Sequence, residues 1–424
     1  MTSLRSLVLL AAAVLAPAQS GFYLHDHDTV VFYGDSITDQ RLYTTFVETF
    51  VVTRYPQMKV RFVHSGWGGD RVSGGGGGTA DERLRRDVFV YQPTVMTILL
   101  GMNDGSYRAF DEGIFEKYKA GYEHLLARMK ESVPGVRITL LQPSPYDDVT
   151  REPTFPGGYN AVLLRYSQLV RDLAERNQMA AADLNGPVVE ALRKAVARDP
   201  QEAKNIIPDR VHPGPGGHLL MAACLLRAWG ATPTVSSVEI DAAAKQVTRS
   251  DSSTVSGLTI GKTISWTQKD TALPMPVNLR DAAFPVAMRR SAGTMELALQ
   301  SSDFLETLNR QTLRVRGLDG ARYTLKINGT TVGSYSREDL AQGLNLAGLP
   351  TPMARQAATV HALTIKRADV HQTRWRQIQV PLQAEHPARV ATIMDNLDAL
   401  EDELAARQRA AAQPSECYYE LVAE

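Results

Sequence analysis

The sequence predicts a three-layer α/β/α sandwich followed by a β-containing and helical extension, and three observations carry that expectation. Between about residues 29 and 229, short β-branched apolar runs alternate with longer amphipathic ones. Near-continuous apolar strands joined by helices of ten or more residues are the pattern of parallel strands covered on both faces. Beyond Trp229 the texture shifts to Thr, Ser, Val and Asp, and at 424 residues the chain exceeds what one hydrophobic core usually organises.

In chain order, strands are expected at 29–33, 60–63, 95–100, 136–141 and 181–184. Helices are expected at 43–55, 80–90, 112–130, 159–177, 187–197 and 215–229. Ligands of such sheets bind outside the carboxyl ends of the strands, so the residues just after each strand matter most. Residues 231–256 read as a connector with one or two strands. The alternating runs 313–315, 323–327 and 331–335, with Asp319-Gly320 and Asn328-Gly329 between them, predict a small antiparallel meander. A helix is expected over about 387–411, where Ile393, Leu397, Leu400 and Leu404 line one face and would pack on the main body. The expected organisation is therefore an export signal at 1–18, an α/β unit at 22–231, a small β-rich accessory region at 232–340 and a mainly helical region at 341–424.

The export signal rests on Arg5, the apolar run from Leu7 to Leu15, and Ala16-Pro17-Ala18 as an A-x-A cleavage site. The run is too short to span a bilayer, and no other segment is apolar for the roughly twenty residues a membrane helix needs. A secreted or periplasmic protein with no transmembrane segment is expected. Forty-six basic residues balance forty-six acidic ones, which gives no support for nucleic acid as a partner. The only cysteines, Cys224 and Cys417, leave a bridge or two free thiols open. Five consecutive glycines, Gly74 to Gly78, read either as a surface loop or as a flexible rim beside a site.

Four short blocks fall where a site would be: Gly34-Asp35-Ser36, Gly66-Trp67-Gly68-Gly69-Asp70, Gly101-Met102-Asn103-Asp104 and Asp209-Arg210-Val211-His212. Acyl transfer needs these kinds of group. A serine hydroxyl needs a base, histidine suits that role near neutral pH, and a carboxylate fixes the histidine tautomer. Ser36, His212 and Asp209 can fill the three roles. The N–H groups of Ser36 and Gly69 and the side-chain amide of Asn103 can hold an oxyanion. Asp70 and Asp104 read as loop supports, and Trp67 either as a cleft wall or as packing beneath the loop. There is no G-x-S-x-G elbow, no H-E-x-x-H helix and no C-x-x-C pair. The segment from Gly257 to Thr263 is one residue short of a phosphate loop. His25 and His27 lack further ligands at useful spacing, so no metal and no cofactor are expected.

In this order and spacing the four blocks resemble the SGNH or GDSL hydrolase superfamily, over roughly residues 29–230. The resemblance implies a flavodoxin-like sandwich with an open, shallow site, and an esterase that works through an acyl-enzyme. It makes carbohydrate O-acetyl esters, small or polymeric, the expected substrates. Lipids, lysophospholipids or thioesters are the alternative within enzymes, and a carbohydrate-binding protein with a vestigial site is the alternative outside them. Two departures stand out: Ile37 takes the place of the usual Leu, and His64 stands where many members have a loop-supporting Asn.

Overall fold

The computed structural model describes residues 21–279 and 293–424. The expected export signal at 1–18 lies outside the described residues.

The first sheet is built from β1 (Thr29–Gly34), β2 (Arg61–Gly66), β5 (Val95–Leu99), β6 (Arg137–Leu141) and β7 (Ala180–Ala182), all parallel, in the spatial order β2-β1-β5-β6-β7. Between β2 and β5 a two-rung ladder joins β3 (Gly74–Gly75) to β4 (Gly78–Thr79). The chain steps one way from β1 to β2 and then the opposite way through β5, β6 and β7. Because crossovers are right-handed, that reversal sends the first connecting helix to one face and the later ones to the other. Accordingly α2 (Leu42–Arg54) packs with α7 (Pro215–Ala228), whereas α3 (Ala80–Asp87), α4 (Glu112–Ser132) and α5 (Gly158–Arg176) pack in succession, α6 (Gly186–Arg198) joining α7. The fold class is the α/β/α sandwich the sequence predicts, with each element's ends displaced by a few residues at most. Ahead of α2, a single turn α1 (Ser36–Asp39) follows β1 directly.

The extension departs further from expectation. Residues 231–256 are no connector: β8 (Thr234–Asp241), β9 (Gln246–Asp251), β10 (Ser253–Ile260) and β11 (Thr263–Asp270) run through and beyond that stretch. After α8 (Thr294–Gln300) and α9 (Phe304–Leu308) comes β12 (Arg310–Arg316), which buries Gln311, Leu313 and Val315 on alternate positions. It pairs in parallel with β8 rather than with its neighbour in sequence, so the expected three-strand meander is a hairpin only. That hairpin joins β13 (Arg322–Ile327) to β14 (Thr330–Ser336) through Asn328 and Gly329, with φ of 51° and 73°, both of the sign a tight two-residue hairpin turn requires. After α10 (Arg337–Gln342) and the short β15 (Leu344–Asn345), the chain enters α11 (Pro352–Gln372), a π-helical stretch at Thr373–Gln379, a last turn α12 (Val380–Leu382) and α13 (Pro387–Ala411).

The final strand, β16 (Cys417–Ala423), returns into the middle of a five-stranded sheet ordered β10-β11-β16-β13-β14. A four-stranded sheet, β15-β12-β8-β9, lies beside it in sequence. The C-terminal strand of region 341–424 supplies the central backbone partner that β11 and β13 of region 232–340 both need. In α13 the expected apolar face packs only in part: Leu404 is buried, but Ile393 and Leu400 are exposed, and the other buried positions are Val390, Glu401 and Gln408. Cys224 and Cys417 are both buried free thiols. Among the described residues, no helix is long and apolar enough to cross a membrane.

Candidate active site

Ser36, Gly69 and Asn103 lie two, three and four residues beyond the ends of β1, β2 and β5. Register brings the three chain segments together, since Gly34 pairs with Gly66 on one side and Leu99 on the other. Two of these glycines are dictated by close approach. A Cβ on Gly34 would fall 2.3 Å from Thr38 Oγ1, and one on Gly66 would fall 2.1 Å from the Asp39 nitrogen. Without side chains at both positions, the α1 turn folds down onto the strand ends. Asp35 caps that turn by accepting the Ile37 N–H at 3.0 Å, which leaves Ser36 as its first residue.

The structure brings Ser36, His212 and Asp209 into one hydrogen-bonded line. Ser36 Oγ lies 2.8 Å from His212 Nε2, and His212 Nδ1 lies 2.7 Å from Asp209 Oδ2. Asp209 Oδ1 also accepts the backbone N–H groups of Val211 and His212 at 3.0 and 2.7 Å. Burial works against the Asp209 charge, but the His212 ring and these two N–H groups outweigh it and hold the carboxyl at about 2. An ionised carboxylate only accepts, so Nδ1 carries the imidazole proton and Nε2 offers its lone pair to the serine hydroxyl. His212 is in turn raised above its ordinary value, first by the hydrogen bond to Asp209 and against partial burial.

The loop bearing this pair is held from below. Arg151 donates to the carbonyls of Lys204, Ile207 and Pro208, and its guanidinium is 2.8 Å from Asp147 Oδ2. Asp147 N–H donates to the Arg210 carbonyl at 2.9 Å. Arg210 sits at φ 74°, a strained value for a side-chain-bearing residue, and donates to the carbonyls of Asp147 and Glu152.

Gly69 occupies a turn closed by the Asp70 N–H on the Trp67 carbonyl at 3.1 Å. Its φ is 78° and the space where a Cβ would point is open, so the glycine answers a conformational demand and leaves its outer side free. Among the described residues no acceptor takes the Gly69 N–H. Asn103 is oriented at both ends of its amide: Nδ2 donates to the Asp70 carbonyl at 3.0 Å, and Oδ1 accepts the Tyr107 hydroxyl at 2.7 Å. That leaves the second Nδ2 hydrogen available. Below, Asp70 is bound by the buried Arg83 at 2.8 Å, and Asp104 accepts the Val72 N–H at 3.0 Å. Burial pushes the Asp35 and Asp104 carboxyls up to about 7.

Trp67 is packed rather than a cleft wall. A Cβ on Gly77 would fall 2.4 Å from its indole, so the glycine run is a short ladder pressed against a ring. His64, the departure from the usual Asn, is buried, 2.8 Å from Thr44 Oγ1 and 3.2 Å from Glu48 Oε2. It ties β2 to α2 rather than supporting the Gly69 loop, and only its partner Glu48 goes on to meet Arg367 of the extension. No motif announces Tyr107, Arg151 or Arg376: Tyr107 reaches Asn103 from four residues on, and the two arginines reach the site through contacts distant in sequence. Among the described residues, no group of three or more His, Cys, Asp or Glu side chains is placed to hold a metal ion.

A parallel α/β sheet with a histidine-linked serine at its carboxyl edge defines the hydrolase class. Within that class, residues 32–220 match the GDSL-like Lipase/Acylhydrolase family, and this part of the chain belongs to it: a carboxylic ester hydrolase of the SGNH type. The chain is 24% identical over 230 residues to an acetylxylan esterase of Geobacillus stearothermophilus, covering 48% of this chain and 94% of that one. It is also similar to the solved structure of BT4096, a gut microbial diltiazem-metabolizing enzyme, at 26% identity and a TM-score of 0.82. That match covers 96% of this chain and 100% of the other, so it takes in the extension.

Proposed function

We propose that this esterase is exported and removes acetyl or other short acyl groups from carbohydrate through an acyl-enzyme on Ser36. The observation that carries the chemistry is the unbroken line from Asp209 through His212 to Ser36, with both contacts at hydrogen-bond length. His212 Nε2 takes the Ser36 proton as Oγ attacks the ester carbonyl. The oxyanion is held by the N–H groups of Ser36 and Gly69 and the free Nδ2 hydrogen of Asn103, each worth roughly 2.7–4 kcal/mol by deletion. His212 then protonates the departing alcohol and activates the water that releases the acid.

The short acyl group is supported by the acetylxylan esterase relative, whose likeness extends over 230 residues of this chain. Export is supported by the charged, apolar and A-x-A succession at residues 1–18. A second reading, a small organic ester in place of a polymer, is favoured by the likeness to the diltiazem-metabolizing enzyme along nearly the whole chain.

The test is turnover of nitrophenyl esters of rising chain length, beside acetate release from acetylated xylan and conversion of diltiazem. Acetyl esters should be preferred, and Ser36→Ala should abolish both turnover and fluorophosphonate labelling. A preference for long acyl chains overturns the short-acyl reading; labelling that survives in Ser36→Ala overturns the nucleophile. Release of acetate from diltiazem but not from acetylated xylan selects the second reading.

A further inference from the structure

We infer that the π-helical segment after α11 positions the oxyanion loop, with Arg376 as the positioning residue. The C-terminal extension thus sets the reactivity of Ser36. This rests on the reading of Gly69 as an oxyanion donor.

Trp67 stands two residues before Gly69, and the Arg376 guanidinium carbon lies 3.4 Å from the centroid of its ring. Trp375 meets the same indole edge-on, with centroids 5.7 Å apart and planes at 75°. Trp375 is itself fixed by donating Nε1–H to Asp87 Oδ1 at 2.6 Å. A second path runs through Asp39. Its Oδ2 accepts the Gly68 N–H at 3.2 Å and lies 4.0 Å from the Arg376 guanidinium, while Oδ1 receives Gln372 Nε2 at 3.5 Å.

The Gly69 turn is therefore held at its first residue by the indole and at its second by Asp39; Arg376 stacks on the first hold and sets its charge 4.0 Å from the second. A cation over an aromatic face and beside a carboxylate is favoured where water is partly excluded, and the planar guanidinium can satisfy both contacts at once. With Trp67 and Gly68 fixed and the turn closed onto Asp70, the direction of the Gly69 N–H is set. Errors of a few tenths of an ångström there weaken transition-state binding more than substrate binding.

The test uses the full chain. Arg376→Met keeps the stem and removes the planar cation; Arg376→Lys restores a charge. Tyr419→Leu, in the core of the sheet containing β16, serves as a comparison that loses stability far from Ser36. Arg376→Met should lower kcat on nitrophenyl acetate about tenfold with KM within about twofold, and weaken an alkyl boronic acid that adds to Ser36 by a similar factor. Arg376→Lys should recover part of the loss, and Tyr419→Leu should keep kcat within about twofold once its melting temperature is matched.

Wild-type kcat and boronate affinity in Arg376→Met, or an equal fall in Tyr419→Leu, overturns the inference. Should Arg376→Met fail to fold, Gln372→Leu takes its place: weaker boronate binding at constant KM supports the role, and unchanged binding overturns it. A wild-type chain that hydrolyses no ester and binds no boronate removes the underlying reading instead, a result distinct from an active enzyme indifferent to Arg376.

Discussion

His212 gains proton affinity from Asp209, and that has a consequence for rate. Its value lies above the ordinary 6.5, first through the Asp209 hydrogen bond, with burial opposing and the Asp209 and Asp35 charges assisting. Acylation needs the neutral imidazole, so kcat/KM should fall as pH drops through a value above 6.5, not below it. In Asp209→Asn the support for the imidazolium is gone. The acid limb should move down and the rate should fall by roughly 10⁴. A pH–rate profile checks both, and a wild-type limb below 6.5, or one unmoved by the substitution, counts against the pairing. The linkage to stability has matching signs. The raised His212 value stabilises the fold below the unfolded-state value and is lost as pH rises through the folded one. The depressed Asp209 value stabilises above 3.8 and is lost as pH falls toward about 2. Tyr107 acts at the same scale. Burial pushes its hydroxyl up to about 12, so it remains a donor to Asn103. It does so from a backbone at φ 54°, next to Ser106 at φ 57°, two consecutive left-handed residues held in place by the loop they serve.

Among the elements, the loop that carries Asp209 and His212 has no regular structure of its own, and its shape comes from Arg151. That guanidinium gathers three carbonyls from Lys204 to Pro208 and is charge-balanced by Asp147. Arg151→Ala should leave those acceptors without their donor and let His212 drift from Ser36. Activity should fall by about 10²-fold, with much less loss of melting temperature than a core truncation produces. Thermal melting beside nitrophenyl acetate turnover measures the two, and full activity in the variant would show that the loop holds its shape unaided. Such clamps were not legible in the sequence, whereas Ser36, Gly69, Asn103, Asp209 and His212 were. Those five sit in four compact blocks, three just past apolar strands and one just before a helix, where chain order alone puts them at the sheet's edge. α11 marks the opposite case. Its buried side chains, Met353, Ala357, Val360, His361, Leu363, Thr364, Arg367, Ala368 and His371, keep helical spacing. Four of these nine are polar, so a search for apolar periodicity passes over it. β12 was visible as an alternating run, but its parallel partner β8 lies some seventy residues away, and alternation says nothing about who pairs with whom.

For the whole molecule, the question is whether the hydrolase unit can stand without the extension. All thirteen residues of α2 are buried, although α2 is only weakly amphipathic and faces the sheet on one side. The other side is covered by α11, where Phe46 stacks on His361 with centroids 5.3 Å apart. Between them lies a buried ionic cluster. Glu48 receives Arg367 at 2.5 and 3.1 Å and Gln408 at 2.8 Å, and Arg367 also reaches Glu401 at 2.9 Å. Burial alone would neutralise Glu48, but the Arg367 charge and the His64 hydrogen bond outweigh it and keep the carboxyl below its ordinary value. Arg54 closes the far end of α2 by donating to the carbonyls of Thr232 and Leu308. A chain cut after residue 231 loses Arg367, Gln408 and the cover of α11 in one step. Stranding one member of a buried pair costs about 3–5 kcal/mol, and a typical domain has only about 5–15 kcal/mol in total. Adding the apolar flank of α2 newly opened to water, the balance turns against folding. Residues 21–231 produced alone should therefore be insoluble, or lack near-ultraviolet dichroism and a cooperative melt. The full chain should unfold in a single transition followed alike by the two halves' tryptophans, Trp67 and Trp229 against Trp266 and Trp375. Cooperative folding of the shorter piece with intact turnover would show instead that the extension is dispensable, and that Glu48 finds water or a proton in place of Arg367.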